Sequence, residues 1–145
     1  MALAEYLEES RIAFGKPGDK EAALREVAGL LSTDTELDAD ACYDVLLERE
    51  AIQTTGVGSG VAVPHGRLAI DSVRAALVIV PGGVDFESID GAPVHFVLGV
   101  LAPTQQPTKL LRLLAEAFRV LREQDRRTRL LACNTPQAIL QELEA

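Results

Sequence analysis

The residues best suited to chemistry lie in one segment, which runs from Glu48 to Arg67. It holds His65, with Pro64 directly before it and Gly66 directly after it. Proline fixes its own backbone and lacks an amide proton, whereas glycine lets another group approach the backbone closely. Because a neutral imidazole nitrogen is a competent nucleophile, His65 is the candidate nucleophile of this segment.

Positive charge and amide groups accompany this histidine in the sequence. Arg49, Arg67 and the amides of a glycine-rich run could together hold the oxygens of a phosphoryl group, which would allow the imidazole to accept one. The residue types by themselves favour a plainer interpretation, a structural histidine at the end of a short strand. Phosphoryl acceptance is the alternative that they leave open.

The glycine-rich run does not match a nucleotide-binding loop. Gly56, Gly58 and Gly60 follow a helical pattern and open a strand, whereas a dinucleotide loop follows a strand and opens a helix, with the spacing GxGxxG. A Walker A loop ends in Gly-Lys-Ser/Thr, and the sequence has no lysine between Lys20 and Lys109. The sequence therefore argues against a dinucleotide loop and excludes a Walker A loop.

Capping residues and apolar periodicity predict the helices around this segment. Asp19 can cap a helix that ends near Leu31, and Pro107 can open one that ends near Arg122. The spacing of Cys42, Val45, Leu46 and Arg49 predicts a helix over 39–50. Short helical stretches are expected at 3–8 and 126–131, and Thr135-Pro136 starts a last helix.

Apolar runs predict the strands. They lie at 11–14, 61–64, 74–80 and 94–101, with a small edge element at 84–86, and Pro81-Gly82-Gly83 is expected to end the strand before it. Strands this apolar need cover on both faces. We therefore expect residues 1–145 to form one α/β domain, a three-layer sandwich with a mixed β-sheet flanked by helices on both faces.

Composition excludes several other functions. The 145 residues carry a net charge of −8 and only 4% aromatic side chains, which argues against a nucleic-acid partner. The N-terminus lacks a basic stretch followed by an apolar one, and the longest apolar runs, 75–80 and 96–102, are far shorter than the roughly 20 residues that cross a bilayer. Two histidines and two cysteines without metal spacing predict neither a metal site nor a disulfide. We expect a cytoplasmic protein without membrane insertion.

The segment around His65 resembles the active-site segment of a known family. The family pattern has ERE, then STGIG, a variable residue, GIAIPHG and Arg or Lys. Here these positions are Glu48-Arg49-Glu50, Thr54-Thr55-Gly56-Val57-Gly58-Ser59-Gly60, Val61-Ala62-Val63-Pro64-His65-Gly66 and Arg67. Residues 84–94 are similar to the family text GVDFDSIDGKPV, and residues 98–103 to FLLAVP. The chain thus resembles, from its first helix to its last, the IIA domains of the bacterial phosphotransferase system, in the fructose–mannitol superfamily that includes the nitrogen-regulatory IIA proteins.

The resemblance implies roles for these residues. His65 would be phosphorylated by an HPr-type phosphocarrier protein, itself charged from phosphoenolpyruvate through enzyme I. Arg49 would neutralise the phosphoryl oxygens, and the supporting residues would be Thr54, Gly56, Gly58, Gly60, Pro64, Gly66 and Arg67. No metal or cofactor is implied. Further partners would be a IIB protein or a regulatory target protein.

One position departs from the family pattern. A second histidine usually begins the helix after the text AVP, and the alignment places Leu110 there, or Lys109 with a shift of one residue. His95 lies too early, within the strand at 94–101, where we expect a hydrogen-bonded structural histidine. The missing imidazole is expected to affect the rate of transfer more than the ability to be phosphorylated.

Three functions follow as hypotheses. The first is a phosphoryl carrier with a nitrogen-regulatory role, and the second is a sugar-specific IIA component that passes the group to a IIB protein. The third is a binding module that has lost transfer.

Overall fold

A six-stranded mixed sheet forms the middle layer of the computed structural model, which describes residues 2–145. Within that range the strands are β1 (Ile12–Phe14), β2 (Gly56–Gly58), β3 (Val61–Ala62), β4 (His65–Leu68), β5 (Arg74–Val84) and β6 (Val94–Pro103). Their order is β1-β5-β6-β3-β2, with β4 also paired to β6. β6 is antiparallel to β5 and parallel to both β3 and β4, so it connects the two halves of the sheet.

Five α-helices and two short 3₁₀ turns cover this sheet over the described range. The helices are α1 (Lys20–Leu31), α2 (Ala39–Ile52), α3 (Pro107–Leu121), α4 (Gln124–Ala132) and α5 (Pro136–Glu144), and the turns are Leu3–Tyr6 and Glu9–Arg11. The predicted caps are present, since Asp19 accepts a hydrogen bond from the amide of Ala22 and Thr135 accepts one from the amide of Ala138. No helix among residues 2–145 is both long enough and apolar enough to cross a membrane.

Two apolar cores lie on opposite faces of the sheet. Along β6, Phe96, Leu98 and Val100 join the core beneath α3–α5, while Val97 and Leu101 join the core beneath α1 and α2. This alternation is the period of two that a β-strand imposes on its side chains. The predicted three-layer sandwich with helices on both faces is confirmed.

Two predicted strand ends are wrong. His65 begins β4 instead of ending a strand, because Pro64 interrupts the ladder and the chain then rejoins β6, where the Val100 amide donates to the Pro64 carbonyl at 3.0 Å. β5 does not stop before Pro81 but continues to Val84, since a shift in its register with β6 accommodates the proline that cannot donate. The expected edge element at 84–86 is therefore only the last residue of β5 followed by loop.

The element at 124–132 is a complete helix, where the sequence predicts a shorter helical turn at 126–131. Arg126 and Arg129 on this helix both bond to Glu142 of α5, the first to its carbonyl and the second to its carboxylate. Contacts of this kind come from a neighbouring element, which local periodicity does not report.

Candidate active site

His65 is the first residue of β4 and is half-buried. Its Nδ1 atom lies 2.8 Å from the carbonyl oxygen of Val63. A carbonyl only accepts hydrogen bonds, so the proton of the neutral ring belongs on Nδ1. The Nε2 atom then carries the free lone pair, which is the electron pair that a nucleophile needs.

The surroundings keep this ring neutral. Burial lowers the pKa of His65 below its ordinary value of 6.5, and the charge of Arg49 lowers it further. The Val63 carbonyl and the charge of Glu50 act in the opposite direction but do not reverse the shift. At neutral pH the imidazole is therefore in its nucleophilic form.

Arg49 approaches the site from the last turn of α2. Its Nη1 atom donates to the carbonyl of Gln53 at 2.9 Å, so the guanidinium caps the C-terminal end of α2. The side chain is half-buried. Arg49, Gly66, Arg67 and Thr104 line an open cavity of about 340 Å³. The structure thus brings the two predicted arginines together beside the residue that follows His65.

Gly66 explains how α2 comes so close to β4. A Cβ atom at this position would lie 2.1 Å from Cγ1 of Val45, a distance that real side chains do not adopt. Only glycine lets this helix rest directly on the strand backbone. The pattern His65-Gly66 therefore places the histidine and the helix that carries Arg49 side by side.

The three predicted glycines, Gly56, Gly58 and Gly60, lie in the β2–β3 hairpin. Gly58 and Gly60 have φ angles of +96° and +79°, which the tight turn requires. The turn is held by Asp90, whose carboxylate accepts from the Ser59 amide at 3.0 Å. It precedes β3, whereas His65 follows the other end of that strand.

Thr54, Gly56 and Pro64 have local roles near the histidine. The Thr54 hydroxyl donates to the carbonyl of Phe86 at 2.9 Å and accepts from the amide of Gly56 at 3.1 Å. Gly56 is buried against Ser88, where a Cβ atom would lie 2.3 Å from the Ser88 hydroxyl oxygen. Pro64 is buried and separates β3 from β4. These contacts fix the backbone that leads to His65.

The position of the missing second imidazole belongs to the core. Leu110 is 8% exposed and joins the cluster that contains Val63 and Val100, while Lys109 is exposed. His95 is held within β6, where its Nδ1 atom lies 2.9 Å from the carbonyl of Val80. The expectation of a hydrogen-bonded structural histidine at 95 is confirmed.

Sequence reasoning missed a buried carboxylate beside the site. Glu50 is 6% exposed and bonds to Lys20 and Thr55, whereas the helical spacing in the sequence predicts that its neighbour Arg49 lies on the apolar stripe of α2. A signal was present, since Cys42, Leu46 and Glu50 follow one another at intervals of four and so share one face of a helix. A charge at the end of such a stripe indicates a buried, paired group.

Comparison with known proteins identifies the family to which this chain belongs. The model of the family described as "Phosphoenolpyruvate-dependent sugar phosphotransferase system, EIIA 2" matches residues 5–145. A nitrogen regulatory protein of Bradyrhizobium diazoefficiens is 39% identical over 125 residues, which cover 86% of this chain and 82% of that protein. A PTS system fructose-specific EIIA component of Haloferax volcanii is 32% identical over 125 residues, covering 85% and 81%.

The fold agrees with this match. The crystal structure of the nitrogen regulatory protein IIA-Ntr from Neisseria meningitidis superimposes with a TM-score of 0.90 at 26% identity and covers 97% of this chain and 98% of that one. The family resemblance seen around His65 therefore extends through sequence and structure alike. The chain belongs to the EIIA type 2 family of the phosphoenolpyruvate-dependent sugar phosphotransferase system.

Proposed function

We propose that this protein is a phosphoryl carrier and that Nε2 of His65 is the acceptor atom. The observation that carries the proposal is the hydrogen bond from Nδ1 of His65 to the Val63 carbonyl, at 2.8 Å. It fixes the ring and leaves the Nε2 lone pair free. Burial lowers the pKa of His65, so at neutral pH most molecules carry no proton on Nε2 and the lone pair is free to react.

The transfer needs no proton to leave the ring. The Nε2 lone pair forms the new nitrogen–phosphorus bond while the bond from phosphorus to the donor breaks and its electrons remain with the donor. The ring then becomes cationic, and the Nδ1 proton stays in its hydrogen bond to Val63. Arg49 supplies positive charge for the phosphoryl oxygens, as the family resemblance implies, and the donor is an HPr-type phosphocarrier.

The role is nitrogen-regulatory signalling in the cytoplasm. The relative from Bradyrhizobium diazoefficiens, at 39% identity, is described as a nitrogen regulatory protein. Phosphorylation would add about two negative charges, which is enough to change the affinity of a surface for a partner. A regulatory target would thus distinguish the two forms of the protein.

The first experiment combines the purified protein with phosphoenolpyruvate, enzyme I and HPr-type carrier from one organism and measures the intact mass. We expect one phosphoryl adduct that is labile in acid and stable in alkali. His65→Gln should abolish it, while His95→Gln, the matched control at the other histidine, should keep it. The absence of any adduct on the wild-type protein would instead support a binding module that has lost transfer.

A sugar-specific IIA component is the second candidate. It is favoured by the relative from Haloferax volcanii, which is 32% identical and described as fructose-specific. Here the phosphoryl group would pass from His65 to a IIB protein. Rapid loss of the adduct on addition of a purified fructose-type IIB protein would favour this role over the regulatory one.

A further inference from the structure

A buried ion pair joins α1 to the end of α2. The Nζ atom of Lys20 lies 3.1 Å from Oε2 of Glu50, and the two side chains are only 11% and 3% exposed. Lys20 also lies 5.3 Å from the centre of the Phe86 ring and 3.5 Å from a carboxylate oxygen of the exposed Glu87. The pair is therefore enclosed by apolar surface on one side and has a second charge at its rim.

Glu50 extends this pair to the backbone before β2. Its Oε2 atom accepts from the amide of Thr55 at 2.8 Å, and its Oε1 atom accepts from the Thr55 hydroxyl at 2.5 Å. Three donors thus converge on one buried carboxylate. Hydrogen bonds to an ionised group are the stronger kind, and they fix direction as well as distance.

The chain of bonds continues to the histidine. The carbonyl of Thr55 accepts from the amide of Val63 at 3.0 Å, and the carbonyl of Val63 faces Nδ1 of His65 at 2.8 Å. A path of hydrogen bonds, joined through the backbone of Thr55 and of Val63, therefore runs from Lys20 on α1 to the imidazole. Val63, whose carbonyl sets the tautomer of His65, is thus linked to the buried carboxylate through Thr55.

A buried ion pair is weak evidence for a stabilising role, because taking two charges out of water offsets most of their attraction. An exposed pair on the same two helices gives a direct comparison. Arg25 and Asp40 are 54% and 75% exposed, and their charged atoms lie 2.6 Å apart. Linking α1 to α2 does not require burial, so burial of the Lys20–Glu50 pair calls for another explanation.

We propose that Lys20 and Glu50 are positioning residues for His65. They hold Thr55, and through it Val63, whose carbonyl orients the imidazole so that Nε2 faces the donor. The inference rests on the proposed function, since orientation matters only if Nε2 accepts the phosphoryl group.

The test uses Lys20→Met and Glu50→Gln in the full-length protein. Lys20→Met keeps the apolar stem over Phe86, and Glu50→Gln keeps an oxygen for Thr55, so both variants should fold. Arg25→Met is the matched control on the same helix, and Lys20→Arg tests rescue by a conserved charge. Initial rates are measured over a range of concentrations of phosphorylated HPr-type carrier.

We expect the first two variants to lower the maximal rate about tenfold or more with the KM for the carrier unchanged, because misorientation of a bound reactant acts on the chemical step. Arg25→Met should leave both constants unchanged, and Lys20→Arg should recover most of the rate. Thermal unfolding of each variant reports the folded fraction separately.

A second readout does not depend on transfer. Nitrogen-15 spectra of the His65 ring should show the Nδ1-protonated tautomer in the wild-type protein and a mixture with the Nε2-protonated one in Lys20→Met and Glu50→Gln. If the wild-type protein accepts no phosphoryl group, the proposed function fails, and these spectra still test the positioning. An unchanged tautomer in the folded variants, with rates that are unchanged or follow only the folded fraction, would overturn the inference.

Discussion

Arg49 and Glu50 are neighbours in the chain but differ in environment and in effect on the histidine. Arg49 is half-buried beside an open cavity and lowers the pKa of His65, whereas Glu50 is enclosed and raises it. Helical geometry separates their side chains by about 100° around the helix axis. One turn of α2 therefore places the cation of Arg49 beside the open cavity and the anion of Glu50 within the protein's own hydrogen bonds.

The Arg49→Ala substitution should slow phosphorylation without unfolding the protein. We expect a loss of about a hundredfold in rate, as for the removal of one donor that stabilises developing charge. Arg67→Ala is the comparison, since Arg67 lines the same cavity but is more exposed than Arg49, and the loss of rate should be smaller. Rates with HPr-type carrier and thermal unfolding check both points, and an unchanged rate would remove Arg49 from the mechanism.

The lowered pKa of His65 should make stability depend on pH. The unfolded chain binds a proton near the ordinary value of 6.5, while the folded protein resists it until a lower pH. Between these two values the unfolded state binds more protons, so the contribution is complete above pH 6.5 and is lost as the pH falls below it.

Urea unfolding of the wild-type protein and His65→Gln from pH 8 to pH 5 measures this effect. The stability of the wild type should fall relative to the variant as the pH drops. A constant difference across the range would contradict the direction given for the pKa.

At the scale of elements, the sequence predicts a feature correctly where the residues that cause it lie within a few positions of one another. Asp19 and Thr135 cap α1 and α5 as their residue types predict, because a cap satisfies amides only two or three positions away. The start of β4 at His65 depends on β6, about 35 positions further along, and could not be inferred from Pro64 and Gly66 alone. The burial of Glu50 likewise depends on Lys20 and Thr55, which other elements supply.

Gly66 should be the most sensitive contact between α2 and β4. In Gly66→Ala the new methyl group would overlap Val45, so the helix must move away from the strand, and we expect a loss of about 1–3 kcal/mol in unfolding free energy. Val45→Ala in the same protein should restore part of it by making room. Equal losses in the single and double variants would show that the close approach is not the cause.

At the scale of the whole molecule, the site is assembled from both sides of the sheet. Arg49 and Glu50 come from the layer of α1 and α2, whereas Leu110 and Val63 belong to the core under α3–α5. β5 and β6 contribute residues to both cores. Neither layer can therefore open without exposing strands that the other needs, and the geometry around His65 should persist until the molecule unfolds as a unit.

The two tyrosines allow this cooperativity to be measured. Tyr6 packs against the core under α3–α5, and Tyr43 is buried in the core under α1 and α2, so Tyr6→Phe and Tyr43→Phe each leave one fluorescent reporter, on opposite faces. We expect both variants to unfold in urea with transitions whose shape by fluorescence matches the loss of helix by circular dichroism. Adding Leu98→Ala, which opens a cavity on the Tyr6 side only, should lower the unfolding free energy by about 2–5 kcal/mol and do so equally for both reporters. A shift seen by Tyr6 alone would mean that the layer of α3–α5 opens independently, and the two sides of the site would then not be held by one cooperative structure.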